Sequence, residues 1–412
     1  MQRKGLWMGL GVMAFAISGA LVPTLAQDTT SITLQDTALR PQSIAYNPAT
    51  NDLLVGSLAK GGVYEVSLDG TTKSFVEDAT LVSTTAVYVD SANNRLLAIS
   101  SGIGKMLGNF PAGGGPGQPN GQPPAGGAGQ PNGQPPAGGA GQPNGQPPAG
   151  GAGQPNGQPP AGGAGQPNGQ PPAGFEMPDF TLKLAAFDLT TKAKTLEVDL
   201  TNIAPQGARF ATGIAVDKDG VIYVTDSLAA AIYRIDTSGQ AQYLSDPKFG
   251  TQMQMGQGTP QQGTPAQGNP PQGAGGQGRM MGAGGGLSGI VYSADGYLLA
   301  IESTSGSLLK IPLDNPSNIQ TVTLPQPLTG AGGLALQADG KLIVTNGSDG
   351  KVYVLSSSDA WATAAIAKTV DAATGIGSAT TNTSSIYVLS SGFGTVPASD
   401  NTGASILVLP LQ

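Results

Sequence analysis

The stretch GIAVDKDGVIYVTD, residues 213–226, decides the fold when it is taken with the run AIYRID at residues 231–236 that follows it. Apolar and polar residues alternate in both runs, which is typical of half-buried β-strands. An Asp-Gly pair at residues 219–220 separates two of the strands, and a Ser-Gly pair at 238–239 follows the third. Such pairs favour hairpins, because glycine adopts positive φ without a steric penalty. One unit of four short antiparallel strands is therefore predicted.

The same order of strands and turns recurs along the chain. Discounting two low-complexity tracts, successive units begin about 40 to 50 residues apart. A period in this range with four strands per unit predicts a β-propeller, in this case an all-β fold of six blades. The innermost strands of the six predicted units begin near Ser43, Ala86, Gly213, Gly289, Gly333 and Ile376.

The sixth unit has three strands, and a further strand is available ahead of the first unit. Residues 31–35, Ser-Ile-Thr-Leu-Gln, have the alternation of a strand. We expect this N-terminal strand to complete the last blade, which would close the ring and remove free sheet edges. The propeller is thus predicted to span residues 27–412.

Residues 1–26 have the layout of a secretory signal peptide. Arg3 and Lys4 precede an uncharged run of 18 residues, 5–22, and Pro-Thr-Leu-Ala at 23–26 places small residues at the cleavage site. Cleavage after Ala26 predicts a secreted or extracytoplasmic chain with no membrane span. An uncleaved membrane anchor is the alternative, because 18 residues are close to the minimum for crossing a bilayer.

Two tracts are too poor in apolar side chains to join a packed core, so we expect both to be disordered. The first covers residues 102–178 and repeats the 12-residue unit GQPNGQPPAGGA. The second covers residues 251–286 and is rich in Gln, Gly, Pro and Met. In a propeller the link between blades and the loop between second and third strands lie on one face, so both tracts are predicted to leave from the same face.

The chain contains neither cysteine nor histidine. Disulfides, thiolate nucleophiles, Ser-His-Asp triads and histidine-based zinc sites are therefore excluded. The formal net charge is −7. A nucleic-acid partner is not expected, since phosphate binding needs a basic surface.

Polar residues are predicted to surround one mouth of the central channel, where inner strands begin and second strands end. Asp226, Glu302 and Asn346 end the second strands of three consecutive units. Their oxygens suit Ca²⁺, and two carboxylates could also serve as a general acid and base. The alternative is that they accept hydrogen bonds from loop amides, as Asp and Asn often do. The other positions of this predicted rim are Gln42, Ser57, Thr85, Ser100, Thr212, Ser288, Gly332 and Ser390.

The blade at residues 213–227 resembles blades of the SMP-30/gluconolactonase/LRE-like propellers and is similar to those of NHL-repeat and strictosidine-synthase-like proteins. Residues 41–48, PQSIAYNP, resemble the first blade of that superfamily. In lactonases of this type the resemblance implies a divalent cation held by Glu, Asn and Asp. The matching positions here are Gln42, Thr212 and Ser288, which are all neutral. Relatives that require histidine are excluded.

Two functions are consistent with these features. The favoured one is a secreted, monomeric binding or scaffold module without catalytic residues or a cofactor, whose ligand is an extracellular protein, a polysaccharide or another molecule bound at the face that carries the tracts. The alternative is a divergent calcium-dependent hydrolase of the lactonase type that uses Asp226, Glu302 and Asn346.

Overall fold

The structure, a computed structural model, describes residues 30–102, 104, 180–205, 207–251, 285–372, 375–391 and 403–411. The chain divides into two units, one made of Met1–Gly113 with Asp179–Gln412 and the other of Gly114–Pro178. All described residues belong to the first unit. The predicted signal peptide and nearly all of both predicted tracts lie outside the described residues, so their conformations stay predictions.

The described residues form six four-stranded antiparallel sheets, which confirms the all-β, six-bladed propeller. Each of the first five blades is built from four consecutive strands, with the earliest strand innermost. Blade 1 contains β2 (Pro41–Asn47), β3 (Asp52–Ser57), β4 (Val63–Val66) and β5 (Thr72–Val76). Blade 2 contains β6 (Thr84–Asp90), β7 (Arg95–Ser101), β8 (Leu182–Asp188) and β9 (Lys194–Asp199). Blade 3 contains β10 (Ala211–Val216), β11 (Ile222–Asp226), β12 (Ala231–Ile235) and β13 (Ala241–Ser245).

The remaining blades follow the same plan. Blade 4 contains β14 (Leu287–Ser293), β15 (Tyr297–Glu302), β16 (Ser307–Pro312) and β17 (Gln320–Thr321). Blade 5 contains β18 (Ala331–Leu336), β19 (Leu342–Asn346), β20 (Lys351–Ser356) and β21 (Ala365–Asp371). Blade 6 contains β22 (Ile376–Thr381), β23 (Ser385–Ser390), β24 (Ser405–Pro410) and, outermost, β1 (Thr30–Thr33). Two one-turn 3₁₀ helices, Ser91–Asn93 and Pro247–Phe249, lie in connecting loops.

The N-terminal strand closes the ring as predicted, because β1 pairs in antiparallel register with β24 along its whole length. The strand begins and ends slightly earlier than residues 31–35. Its one buried residue, Ile32, packs in a cluster that joins blades 6 and 1. The last blade is therefore made from both ends of the propeller.

The core lies between the blades rather than inside any one of them. Six of the hydrophobic clusters formed by the described residues each join two neighbouring blades, and together they run around the whole ring. The strand β11 is buried along its length, whereas the outer strand β21 alternates between exposed and half-buried positions. Each sheet is thus held by apolar contacts on both of its faces.

The points at which the two predicted tracts leave the propeller lie on one face. The end of a second strand lies beside the start of its inner strand, as the pairing of Asp226 with Ala211 shows. The first tract follows the end of β7, and the second precedes the start of β14. We call this side, where inner strands begin, the insertion face, and the opposite side the plain face. No helix in the described part of the chain is long and apolar enough to cross a membrane.

Candidate functional site: the central channel

A β-bulge interrupts the pairing near the start of the inner strand in all six blades. A bulge leaves a residue unpaired and turns its side chain away from the ladder. The second residue of each inner strand lies at the insertion face. Because of the bulge, its side-chain direction differs from that of its neighbours along the strand. These six positions, the bulge ring, are Gln42, Thr85, Thr212, Ser288, Gly332 and Gly377.

The inner strands surround a central channel with a volume of about 1360 Å³. All six blades contribute to its wall, and five of the six bulge-ring residues line it, Thr85 being the exception. The described residues that line the channel include no Asp, Glu, Lys or Arg. The described part of the wall is made of glycine, small hydroxyl and amide side chains, aliphatic side chains and a few aromatic rings, and it offers no formal charge to a ligand.

The channel changes character with depth. Two residues beyond the bulge ring, every blade places an apolar side chain in the wall, and each of these is between 3% and 8% exposed. These six are Ile44, Val87, Ile214, Ile290, Leu334 and Ala379. Nearer the plain face the wall includes the rings of Tyr46 and Tyr292. Tyr46 also stacks on Tyr387 with ring centroids 6.2 Å apart. The channel therefore runs from a polar ring to a more apolar, partly aromatic end.

Two of the bulge-ring side chains are tied to the inner strand of the next blade, and a third is tied to the loop that follows β15. The Thr85 hydroxyl donates to the carbonyl of Ala211 at 2.6 Å, and the Thr212 hydroxyl donates to that of Ser288 at 3.2 Å. The Ser288 hydroxyl bonds to the hydroxyl of Ser303 at 2.9 Å. These bonds hold the inner strands in place around the axis and use the hydroxyls for structure.

Asp226 is completely buried at the end of β11 and serves its own loop. Its Oδ1 accepts hydrogen bonds from the backbone amides of Phe210, Leu228 and Ala229 at 3.0 to 3.1 Å. The Tyr233 hydroxyl donates to Oδ2 at 3.1 Å. Burial raises the pKa of Asp226, while these donors and the nearby Arg209 favour its ionised form. The carboxylate is thus saturated by protein groups.

Glu302 and Asn346 serve their own loops in the same way. The two carboxylate oxygens of Glu302 accept from the amides of Thr304 at 3.0 Å and Ser305 at 2.6 Å. Asn346 accepts from the amide of Ser348 and donates to the carbonyl of Thr329, both at 3.0 Å. Glu302 also borders a second cavity of about 590 Å³. This geometry favours the second interpretation of the sequence, in which these residues hold exposed loop amides.

The three predicted ligands each precede a residue of the channel wall, namely Ser227, Ser303 and Gly347. None of the three predicted ligands is itself among the described residues that line the channel. Within the described ranges there is also no group of three or more His, Cys, Asp and Glu side chains that could hold a metal ion. Calcium binding by Asp226, Glu302 and Asn346 stays a prediction.

Sequence reasoning missed the roles of two residues near the insertion face, Arg209 and Tyr233. Arg209 is only 1% exposed, and its guanidinium donates to the carbonyls of Ala204 and Ala208 at 3.0 and 3.1 Å. Tyr233 belongs to the repeated strand pattern, but nothing in that pattern indicates its bond to Asp226. Burial, followed by the charge of Asp226, raises the pKa of Tyr233 far above its usual value. A lone arginine ahead of a strand carries no sequence signal of burial.

Comparisons with known proteins bear on the fold alone. No protein-family model matches the chain, and no curated protein matches its sequence. Among solved structures, the major allergen Mala s 1 of Malassezia sympodialis is 13% identical, with a TM-score of 0.54, over 93% of this chain and 96% of that one.

Two enzymes of known structure are also similar in fold. Virginiamycin B lyase from Staphylococcus aureus is 13% identical, with a TM-score of 0.46, over 93% of this chain and 99% of the other. A gluconolactonase from Xanthomonas campestris is 12% identical, with a TM-score of 0.48, over 93% of this chain and 90% of the other. These matches bear on the fold alone, and the blade motifs stay the basis for the resemblance to SMP-30/gluconolactonase and NHL-like propellers.

Proposed function

We propose that this chain is a binding or scaffold propeller that acts outside the cytoplasm as a monomer and carries its ligand in the central channel. The observation that carries the proposal is the wall of that channel, in which no described residue bears a charge. A wall of this kind favours an uncharged ligand, because burying an unpaired charge is costly. The signal-like N-terminus supports export.

Catalysis would need a different set of groups from those in the wall. General acid–base chemistry requires a titratable side chain within hydrogen-bond reach of the substrate. The hydroxyls of the bulge ring have no described histidine, lysine or carboxylate beside them in the channel wall. The buried carboxylates of Asp226 and Glu302 are instead satisfied by loop amides.

Hydrolysis of glucono-δ-lactone by the full chain in the presence of calcium tests the proposal against the lactonase alternative. We expect no turnover above the uncatalysed rate. The matched variants are Glu302→Gln, which removes a predicted ligand, and Glu65→Gln, which removes a carboxylate on β4 that pairs with Lys73. Turnover that is lost in Glu302→Gln and kept in Glu65→Gln would overturn the proposed function.

A further inference from the structure

A second cavity of about 590 Å³ lies beside the central channel on the insertion face of blade 4. The link from β13 to β14, with Lys248, borders it on one side, and the turn from β15 to β16, with Thr304 and Ser305, borders it on another. The cavity extends outward to the outermost strand at Thr321, and Thr304 is the one described residue that it shares with the channel wall. Its volume is in the usual range for ligand pockets.

Glu302 lines this cavity, and its carboxylate is buried without a countercharge in the described part of the chain. The residue is 3% exposed. Its oxygens accept from the amides of Thr304 and Ser305, but an amide brings no formal charge. None of the ion pairs formed by the described residues includes Glu302. Because burying an unpaired charge is costly, a cation is expected beside this carboxylate.

Lys248 lines the same cavity but does not supply that charge. Its Nζ donates to the carbonyl of Ile319 at 2.5 Å, and it forms no ion pair with a described residue. The lysine is exposed, so water stabilises its ammonium group, whereas Glu302 is buried. The charge that lacks compensation is therefore the carboxylate.

Asp226 occupies the equivalent position of blade 3 and is compensated from within the protein. Both residues end a second strand and pair with the first residue of the inner strand. Asp226 accepts four hydrogen bonds, and the nearby charge of Arg209 favours its ionised form. Glu302 accepts two bonds from described residues, although a carboxylate offers about four acceptor positions. Glu302 borders the cavity and Asp226 does not, so only Glu302 has room for a further partner there.

The glycine at position 250 leaves space next to this carboxylate. Gly250 borders the cavity with φ +100° and ψ −166°, a backbone region that residues with a side chain rarely adopt. A Cβ there would lie 3.2 Å from Glu302 Oε1 and 2.4 Å from the carbonyl oxygen of Gly285. The side of Gly250 that a side chain would fill is thus bounded by two acceptor oxygens, which suits a hydrogen-bond donor.

We propose that this cavity binds a primary ammonium group on an aliphatic stem, which is the chemistry of an alkylamine or of a lysine side chain. The ammonium group donates to Glu302 and supplies the missing positive charge. Hydroxyls of the wall, including those of Thr251 and Thr321, accept its other N–H groups, and Leu309 contacts the stem. A guanidinium fits less well, because it binds both oxygens of a carboxylate edge-on and each oxygen here already accepts a loop amide. This site adds to the proposed function and does not depend on the ligand of the channel.

Three probes test the chemistry with the full ¹⁵N-labelled chain at constant ionic strength. n-Butylammonium has the charge, the N–H donors and the stem, n-butanol lacks the charge, and tetramethylammonium lacks the donors. The readout is the pair of backbone amide signals from Thr304 and Ser305. The internal control is the pair from Leu228 and Ala229, which bond to Asp226 in the same way. We expect n-butylammonium alone to shift the first pair saturably and no probe to shift the control pair.

A fourth probe separates the two sources of the ammonium group. Nα-acetyl-lysinamide presents the same group on a peptide-like backbone. A response equal to that of n-butylammonium identifies the side chain of a partner's lysine as a ligand. A response to n-butylammonium alone identifies a small free amine.

Variants assign the binding to the carboxylate. Glu302→Gln removes the charge, and we expect n-butylammonium to bind at least about tenfold more weakly, the equivalent of one charge-assisted hydrogen bond. Glu65→Gln, which removes the carboxylate paired with Lys73, is the matched control and should keep the affinity. Lys248→Gln leaves the carboxylate in place and removes a positive charge from the wall, so it should bind n-butylammonium more tightly.

Several results would overturn the inference. They are the absence of a saturable shift with n-butylammonium, an equal response to n-butanol or tetramethylammonium, and unchanged affinity in Glu302→Gln. A loss in Lys248→Gln as large as that in Glu302→Gln would also do so, because it would show a general disturbance of the cavity. Arg279 is the one charged residue of the tract at 251–286. Binding that occurs only in Arg279→Gln would show that the chain supplies its own cation, which would equally overturn the inference.

Discussion

Ile32 pairs with Ile406 across the seam where the two ends of the propeller meet. Ile32 is 7% exposed and Ile406 is fully buried, and both belong to the cluster that joins blades 6 and 1. One residue beyond the strand, the amide of Leu34 donates to the carbonyl of Ala404 at 2.9 Å. In a chain without cysteine, this pairing is what fastens the ring shut.

Placing a charge at the seam should open it. Ile32→Asp is expected to lower the free energy of unfolding by about 3 kcal/mol or more, because the carboxylate would be buried without a partner. Urea unfolding followed by tryptophan fluorescence measures the change. Ser31→Asp on the exposed side of the same strand is the control and should change the stability by less than about 0.5 kcal/mol. Equal losses in both variants would show that the seam does not depend on this apolar contact.

Because the inner strands pack closely, replacing glycine by alanine should cost very different amounts of folding free energy at two positions. A Cβ at Gly333 would lie 2.5 Å from the carbonyl oxygen of Gly377 and 2.7 Å from the hydroxyl of Thr345. Gly333→Ala should therefore cost about 1–3 kcal/mol of folding free energy through overpacking. At Gly377 nothing lies within 4 Å of such a Cβ. Gly377→Ala should thus be neutral or slightly stabilising in the same urea titration, and a loss as large as that of Gly333→Ala would contradict the packing described here.

The bond between Tyr233 and Asp226 predicts a stability effect without a change of shape. Tyr233→Phe removes the donor to Oδ2 and leaves a buried carboxylate oxygen with one partner fewer, which should cost about 1–3 kcal/mol. Tyr243, whose ring packs on Tyr233 at 6.4 Å, supplies the control Tyr243→Phe. Thermal melting of both variants measures the difference. If the melting temperature of Tyr233→Phe equals that of the control Tyr243→Phe, the Tyr233 hydroxyl does not stabilise Asp226.

Acid should weaken the loop that carries Trp361. Asp359 accepts from the amide and the hydroxyl of Thr363 at 2.9 and 2.7 Å and from the Ser357 hydroxyl at 2.9 Å. These bonds lower its pKa to about 2 from a usual 3.8. A lowered carboxyl pKa stabilises the fold above the unfolded-state value, so this contribution should be lost as the pH falls from about 4 to about 2.

The variant Asp359→Asn isolates that contribution. It keeps an acceptor but cannot be protonated in this range, so its urea midpoint should fall less steeply with acid than that of the parent chain. Intrinsic fluorescence of Trp361, which is 5% exposed, follows the local transition. Identical pH profiles for the two proteins would assign the acid sensitivity to other carboxylates.

The fold could be predicted from sequence because its signals are local and repeated. Alternating runs recur in every blade, and Gly-containing turns recur in blades 1, 3, 4 and 5. The strand at the N-terminus was identified because the sixth unit lacked one. The candidate site was harder to predict from the sequence. Alignment of the blades placed Asp226, Glu302 and Asn346 at the ends of equivalent strands, but strand position does not determine whether a side chain faces the axis or folds back over its own loop amides.

The surroundings of Gln42 depend on features that one sequence does not display. Its position in the rim was predicted, yet the bulge that aims it and the lack of a partner for its buried Oε1 among the described residues follow from register and from contacts between blades. In blade 3 the inner-strand residue Gly213 pairs with Thr225, whereas in blade 1 the inner-strand residue Ser43 pairs with Gly56. This exchange of glycine and hydroxyl residue is visible in the sequence once the strand pairs are known. Without the pairing, those residues are small polar side chains like many others in the chain.

Thermal melting of the full chain in millimolar calcium, against sodium chloride of equal ionic strength, tests most directly whether the buried acids hold loops rather than a metal. Calcium at 100 times its dissociation constant would add about 2.7 kcal/mol to the stability of the native state. We expect the melting temperature to be unchanged in the parent chain and in Glu302→Gln. A rise with calcium in the parent chain that disappears in Glu302→Gln would contradict this account.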